Sequence, residues 1–183
     1  ERNNIVINST IGINADKTGY GKTLSMVGLV QRDKMEWNTN VDYVEKNVQN
    51  YARSCINVTK YYKIQRNNCT LVLTSPSIIH QWEHEFSYSS LRVCTVIKRI
   101  TIKKLDLNDW DVILVIPTMY NTLVAKYMNT VWKRFIFDEP SQIVITSMKF
   151  IRAGFIWLVT ATPNLMYDLY ARKRYNMIKD IVC

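Results

Sequence analysis

Short unbroken apolar runs punctuate the chain at Ile11–Ala15, Thr70–Thr74, Val93–Ile97, Val112–Ile116, Phe135–Phe137 and Ile156–Val159. Runs without polar alternation predict strands buried on both faces, as in parallel sheets. Between most of them the apolar positions change to helical spacing. Leu24, Val27, Leu29 and Val30 form one such set, Ile78, Ile79, Trp82 and Phe86 a second, and Tyr120, Leu123, Val124 and Tyr127 a third. Strands alternating with helices predict an α/β domain around a mainly parallel sheet. Residues 35–68 break this rhythm, being polar, Asn-rich and weakly periodic, and read as a surface insertion with a helix near Val41–Ala52.

Composition narrows the class. The chain has 183 residues, 48% of them hydrophobic, enough for one domain with a real core. No apolar run approaches the roughly 18 residues of a membrane span, so no membrane partner is expected. The opening Glu1-Arg2-Asn3-Asn4 carries neither a secretory signal nor an initiator Met, and reads as a domain boundary or truncation. Cys55, Cys69, Cys94 and Cys183 include no CxxC pair, and the histidines are only His80 and His84, which argues against zinc. Cys69 and Cys94 sit in or beside apolar runs and read as small buried hydrophobes of an intracellular protein. With 24 Lys+Arg against 15 Asp+Glu, the net charge of +9 points to a polyanionic partner, most simply nucleic acid. A merely solvated basic surface is the alternative. The basic residues cluster at Lys60/Lys63, Lys98-Arg99 with Lys103-Lys104, Lys126 with Lys133-Arg134, and Arg172–Arg174.

The stretch ADKTGYGKT, residues 15–23, lies between a predicted strand and a predicted helix. Gly19 and Gly21 let the backbone turn its N–H groups toward an anion, and the following helix adds its N-terminal dipole. Lys22 is placed to reach the β- and γ-phosphates, and the Thr23 hydroxyl to ligate Mg²⁺. The strict phosphate-loop expression wants glycine at position 16, where Asp16 stands, so a plain glycine turn is the competing reading. RFIFDEPS, residues 134–141, supplies the other half of such a site: a buried run ending in Asp138 and Glu139. An aspartate there suits Mg²⁺ and the adjacent glutamate suits a general base. Two acids opening a surface helix, with Pro140 in its first turn, would read the same way in isolation.

In order along residues 10–165, these segments resemble the motifs of superfamily 2 helicases and translocases, most of all the Swi/Snf-type remodeler ATPases and their relatives in large DNA viruses. ADKTGYGKT resembles motif I, commonly ADEMGLGKT in remodelers, which accounts for Asp16. TLVLTSPSIIHQWEHEF, residues 70–86, resembles the motif Ia region. DVILVIPTMYNTL, residues 111–123, resembles the next strand and its Thr-x-Tyr turn. FIFDEPS resembles motif II, usually DEAH or DEAD, and WLVTATP, residues 157–163, resembles motif III.

The resemblance implies a RecA-like P-loop NTPase fold over 1–165, with 35–68 as the insertion and 166–183 as a C-terminal helix or linker toward a second lobe. It implies ATP and Mg²⁺ as ligands. Thr18, Gly19, Tyr20, Gly21, Lys22, Thr23 and Leu24 would surround the nucleotide, Thr23 and Asp138 the metal, with Lys22, Asp138 and Glu139 carrying catalysis. Nucleic acid, DNA ahead of RNA, would be met by Ser75, Pro76, Ser77, Thr118 and Tyr120. Ser141, Thr160 and Thr162 would couple the nucleotide to that grip. A second RecA-like lobe in cis would supply an arginine finger, a larger complex is compatible, and the setting would be the nucleus or cytoplasm of a host cell, or a virion. Motif II departs from the family pattern, with Pro140-Ser141 in place of Ala-His, and Trp82 and Phe86 read as core. The alternative function is a non-catalytic RecA-like module that binds nucleic acid or protein. A small P-loop kinase fits poorly, because motifs Ia and III would then be coincidence.

Overall fold

The computed structural model describes residues 9–50 and 57–166. Its centre is a parallel sheet of six strands: β1 (Ile11–Asn14), β4 (Thr70–Leu73), β5 (Val93–Val96), β6 (Val112–Val115), β7 (Thr130–Asp138) and β8 (Ala153–Val159). They lie in the order β1-β8-β7-β4-β6-β5, every neighbouring pair parallel. Helices α1 (Lys22–Arg32), α2 (Ile79–Ser87), α3 (Arg99–Lys104) and α4 (Pro117–Lys126) fill the crossovers. The apolar runs expected to be strands are strands, as an α/β domain with a mainly parallel sheet requires.

Alternation within the buried strands sorts the core into two layers. Leu71, Leu73, Ile113, Val115, Phe135 and Phe137 face a cluster that includes Ile102 of α3 and Tyr120, Leu123 and Val124 of α4. Val72, Val112, Leu114 and Ile136 face the opposite cluster, with Met26, Val27 and Val30 of α1 and Ile79, Trp82 and Phe86 of α2. The central strands β4 and β6 are covered on both sides, which is why their sequences show no polar alternation. The Cys69 thiol packs in the first layer and donates to the carbonyls of Leu107 (2.9 Å) and Trp110 (2.7 Å), and burial pushes its pKa up to about 12.

Two expectations need correction. The helix read near Val41–Ala52 is a strand over its described part: β2 (Tyr43–Asn50) pairs antiparallel with β3 (Asn57–Arg66). Tyr51 and Ala52 lie outside the described residues. The ends of β3 and β7 pair in turn, Gln65 with Thr130 and Arg66 with Val131, so the hairpin leaves the sheet at the start of β7. β7 is also far longer than its apolar run, because Lys133 and Arg134 are buried within it, 6% and 3% exposed. Both reach Asp33, the residue ending α1 at φ 37°: Lys133 Nζ donates to Oδ2 at 2.5 Å and Arg134 Nη2 to Oδ1. Lys126, grouped with them as a basic cluster, spends its ammonium on the carbonyls of Ile102 and Leu105, both at 2.8 Å, closing the end of α3. Lys133 and Arg134 are therefore structural, and only the exposed Lys126, its ammonium already on two carbonyls, is left of that cluster at the surface. Apart from Met166, the segment 166–183 lies outside the described residues, as does Arg172–Arg174.

Candidate nucleotide site

All six central strands run the same way, so the turns that follow them gather along one edge of the sheet. The first leaves β1. Gly19 and Gly21 there have φ of 85° and 72°, a region that costs an L-residue roughly 1–2 kcal/mol. A Cβ on either would meet nothing within 4 Å, so backbone conformation rather than crowding demands glycine, and the hollow beside them is open. Gly21 caps α1 without any side-chain hydrogen bond, which leaves the first turn's N–H groups directed at that hollow. Lys22 Nζ is held across the loop by the carbonyls of Asp16 (2.8 Å) and Lys17 (3.2 Å).

The adjoining cleft, about 670 Å³, is lined by Thr18, Gly19, Gly21, Lys22, Thr23 and Leu24 from this loop and by Asp138 and Glu139 from the end of β7. Ser75 and Ser77 line it from the turn after β4, and Ala161 and Thr162 from the turn after β8. Tyr20, grouped with the loop as a nucleotide contact, is 72% exposed and lies outside the lining.

Register explains the surroundings of Asp138. Leu73 of β4 pairs with Phe137 of β7, so Thr74 and Asp138 are lateral neighbours one residue further on. Both share the face of Val72 and Ile136, the face covered by α1 and α2. Thr74 Oγ1 donates to Asp138 Oδ2 at 3.0 Å, and the indole N–H of Trp82, from α2, donates to the same oxygen at 2.8 Å. Burial pushes the Asp138 carboxyl up from its ordinary value and Glu139 adds to this, while Trp82, Thr74 and the Lys22 charge pull it back. Sequence reasoning placed Trp82 in the core and missed its second role. The signal was available in one respect, since a buried indole N–H needs an acceptor.

No helix opens at Asp138-Glu139. The chain turns instead, with Glu139 at φ 46° and its N–H on the Val159 carbonyl at 2.7 Å. The Glu139 carboxylate is taken up by the next turn: Thr160 Oγ1 donates to Oε2 at 2.9 Å and the Ala161 N–H to Oε1 at 2.9 Å. Ser141 Oγ lies 3.3 Å from Thr162 Oγ1, so the two serine/threonine positions singled out from motifs II and III touch.

The other expected positions divide. Ser75 and Ser77 bond to each other at 2.7 Å, and Pro76 between them is exposed. Leu73 pairs with Val115, so Ser75 and Pro117 both stand two residues beyond the last pair of β4 and β6, and Thr118 follows, exposed, in the first turn of α4. Tyr120 is the exception. It is 0% exposed, packs against Phe135 and donates its hydroxyl to the Lys149 carbonyl at 3.0 Å, so it has no surface to give a nucleic acid. Two residues along α4 from the exposed Thr118, about 200° around the helix, its ring faces the opposite side, into the core.

Among the described residues no group of three or more His, Cys, Asp or Glu could hold a metal alone. The cleft instead offers scattered oxygen donors, the carboxylates of Glu85, Asp138 and Glu139 and hydroxyls that include Thr23; the Asp138 carboxylate with the Thr23 hydroxyl is the sparse donor set that suits a Mg²⁺ arriving with phosphates and keeping several waters. Among the described residues no helix is long and apolar enough to cross a membrane.

A family model described as the SNF2-related domain matches residues 6–171. Many solved structures share the fold, among them these two. The Sulfolobus solfataricus SWI2/SNF2 ATPase core in complex with dsDNA aligns with TM-score 0.58 and 21% identity over 83% of this chain and 28% of its own. The Sulfolobus solfataricus SWI2/SNF2 ATPase core domain aligns with TM-score 0.57 and 21% identity over 90% of this chain and 30% of its own. The chain thus spans less than a third of the length of either. No curated protein matches it.

Proposed function

The chain belongs to the SNF2-related domain family, and from that premise we propose that it is the ATP-binding first lobe of a nucleic-acid-dependent ATPase that moves on DNA. The observation that carries this is the meeting of a positive-φ glycine loop, Lys22 and Thr23 with the buried Asp138 in one cleft. The loop and helix N–H groups would receive the β- and γ-phosphates, with Lys22 leaving the Asp16 and Lys17 carbonyls to neutralise them. Thr23 and Asp138 would hold Mg²⁺, which when bound supplies charge neutralisation on the phosphate oxygens. Glu139 would orient the attacking water: Thr160 and Ala161 place one hydrogen bond on each of its oxygens, which fixes the carboxylate and leaves each oxygen a lone pair for that water. The turn after β8 would thereby orient the general base.

The track would run along the same strand edge, over Ser75–Ser77 and Thr118. Contacts there would go mainly to phosphates, with little sequence preference and a steep salt dependence. Thr162 and Ser141 would pass the state of that edge, and of a second lobe, back to Glu139. The test is ATP hydrolysis by the intact polypeptide that contains this lobe, with and without double-stranded DNA, single-stranded DNA and RNA. Stimulation that disappears in Lys22→Ala supports the proposal and names the track. Nucleic-acid binding with no Lys22-dependent hydrolysis would favour the non-catalytic module.

A further inference from the structure

The hydrogen bonds to Asp138 have a geometry that core packing alone does not require. Thr74 and Trp82 are each 0% exposed and come from different directions, one beside Asp138 in the sheet and one above it on α2. Either donor could be satisfied by a backbone carbonyl, as most buried side-chain donors are. Both instead converge on Oδ2. The terminal torsion of an aspartate is broad and nearly two-fold, so a free carboxylate exchanges its oxygens. Two donors fixed on one oxygen remove that freedom and leave Oδ1 as the oxygen available to the cleft.

We propose that Trp82 and Thr74 are positioning residues that lock the Asp138 carboxylate so that Oδ1 alone is presented to the Mg²⁺ of a bound nucleotide. This rests on the nucleotide-site reading above. Outer-shell donors of this kind orient the ligands they touch, and losing one typically lowers metal affinity 10–100-fold. In the sequence the two residues are separated from Asp138 by 64 and 56 positions, so only the fold brings them together. They divide the task by chemistry: a hydroxyl that can swing, and an indole N–H that cannot.

The experiment titrates Mg²⁺ against binding of a fluorescent ADP to the intact polypeptide, and repeats the binding in EDTA. Trp82→Phe keeps most of the ring and removes the donor; Thr74→Val keeps the shape and removes the hydroxyl. Each is expected to need about ten-fold more Mg²⁺ for half-maximal binding, while affinity in EDTA stays near the parent's; the thermal midpoint falls by the lost hydrogen bond and, in Trp82→Phe, the small cavity, and serves to show that the variant is folded at the assay temperature. Thr74→Ser, which restores a donor, is expected to recover the parent's Mg²⁺ requirement. An equal loss of affinity with and without Mg²⁺, or an unchanged Mg²⁺ midpoint in a folded variant, overturns the proposal and leaves only packing. If Trp82→Phe fails to fold, the Thr74 pair decides. A parent chain whose ADP binding ignores Lys22→Ala sinks the nucleotide reading itself, and this proposal with it.

Discussion

Replacing Asp33 by asparagine should be the most costly single change on the surface of this lobe. Asp33 is 41% exposed at its side chain, yet it is the counter-ion of two cations buried inside β7, Lys133 and Arg134. Removing its charge strands both in the sheet. Breaking a buried pair costs about 3–5 kcal/mol. Water reaching the exposed side of Asp33, and the acceptor that asparagine keeps, discount that to about 2–3 kcal/mol. The pH dependence gives an independent check. Burial acts most strongly on the Asp33 carboxyl and raises its pKa. The hydrogen bonds and charges of Lys133 and Arg134 together outweigh this and hold it below the ordinary 3.8. A carboxyl depressed in the folded state contributes stability above its unfolded pKa and loses it as pH falls through the folded one. The loss therefore begins near pH 3.8 and continues below it. Urea unfolding followed by tryptophan fluorescence, at pH 7 and across the acid range, measures both effects. Asp33→Asn should lower stability at neutral pH and fall less steeply than the parent below pH 3.8. A change under about 0.5 kcal/mol at pH 7 with an unchanged m-value, or parallel acid limbs, would refute the ion-cluster argument.

Other consequences follow from the same geometry. Gly21→Ala places a Cβ at φ 72° and should cost about 1 kcal/mol or more of stability and roughly ten-fold in ATP affinity, read by urea unfolding and by nucleotide titration. Ser141→Ala removes the contact with Thr162 and should leave nucleotide affinity intact while cutting nucleic-acid stimulation of hydrolysis several-fold; an equal fall in basal and stimulated rates would contradict it. Tyr120→Phe loses the hydroxyl bond to the Lys149 carbonyl and should cost about 1 kcal/mol of stability, with no change in the salt slope of nucleic-acid binding.

What the sequence disclosed follows from where patterning carries information. Val112–Val115 and Thr70–Leu73 are buried on both faces, and their unbroken apolarity announces it. The glycine loop was legible because few other residues adopt the φ of Gly19 and Gly21. The β2–β3 hairpin was illegible for the opposite reason. Its described side chains are largely exposed, with Ile64 the buried exception, so no period-two contrast sets it apart from a polar helix. Lys133 and Arg134 broke the apparent strand because charge reads as surface until its counter-ion, 100 and 101 positions away, is known. Trp82 shows the finer limit: periodicity says that a ring is buried and never which acceptor its N–H finds.

The length of β7 has a practical consequence. One end pairs with the base of the hairpin at Thr130, and the other end is Asp138. At about 3.3 Å per residue those ends stand roughly 26 Å apart on a single unbroken strand. The lobe is therefore addressable from two poles. A fluorophore or surface tether on the exposed Tyr61 or Tyr62 would stand clear of the cleft, on β3, whose end pairs with the opposite end of the strand that carries the acid. Attached there, it would report the orientation of the lobe without touching the cleft.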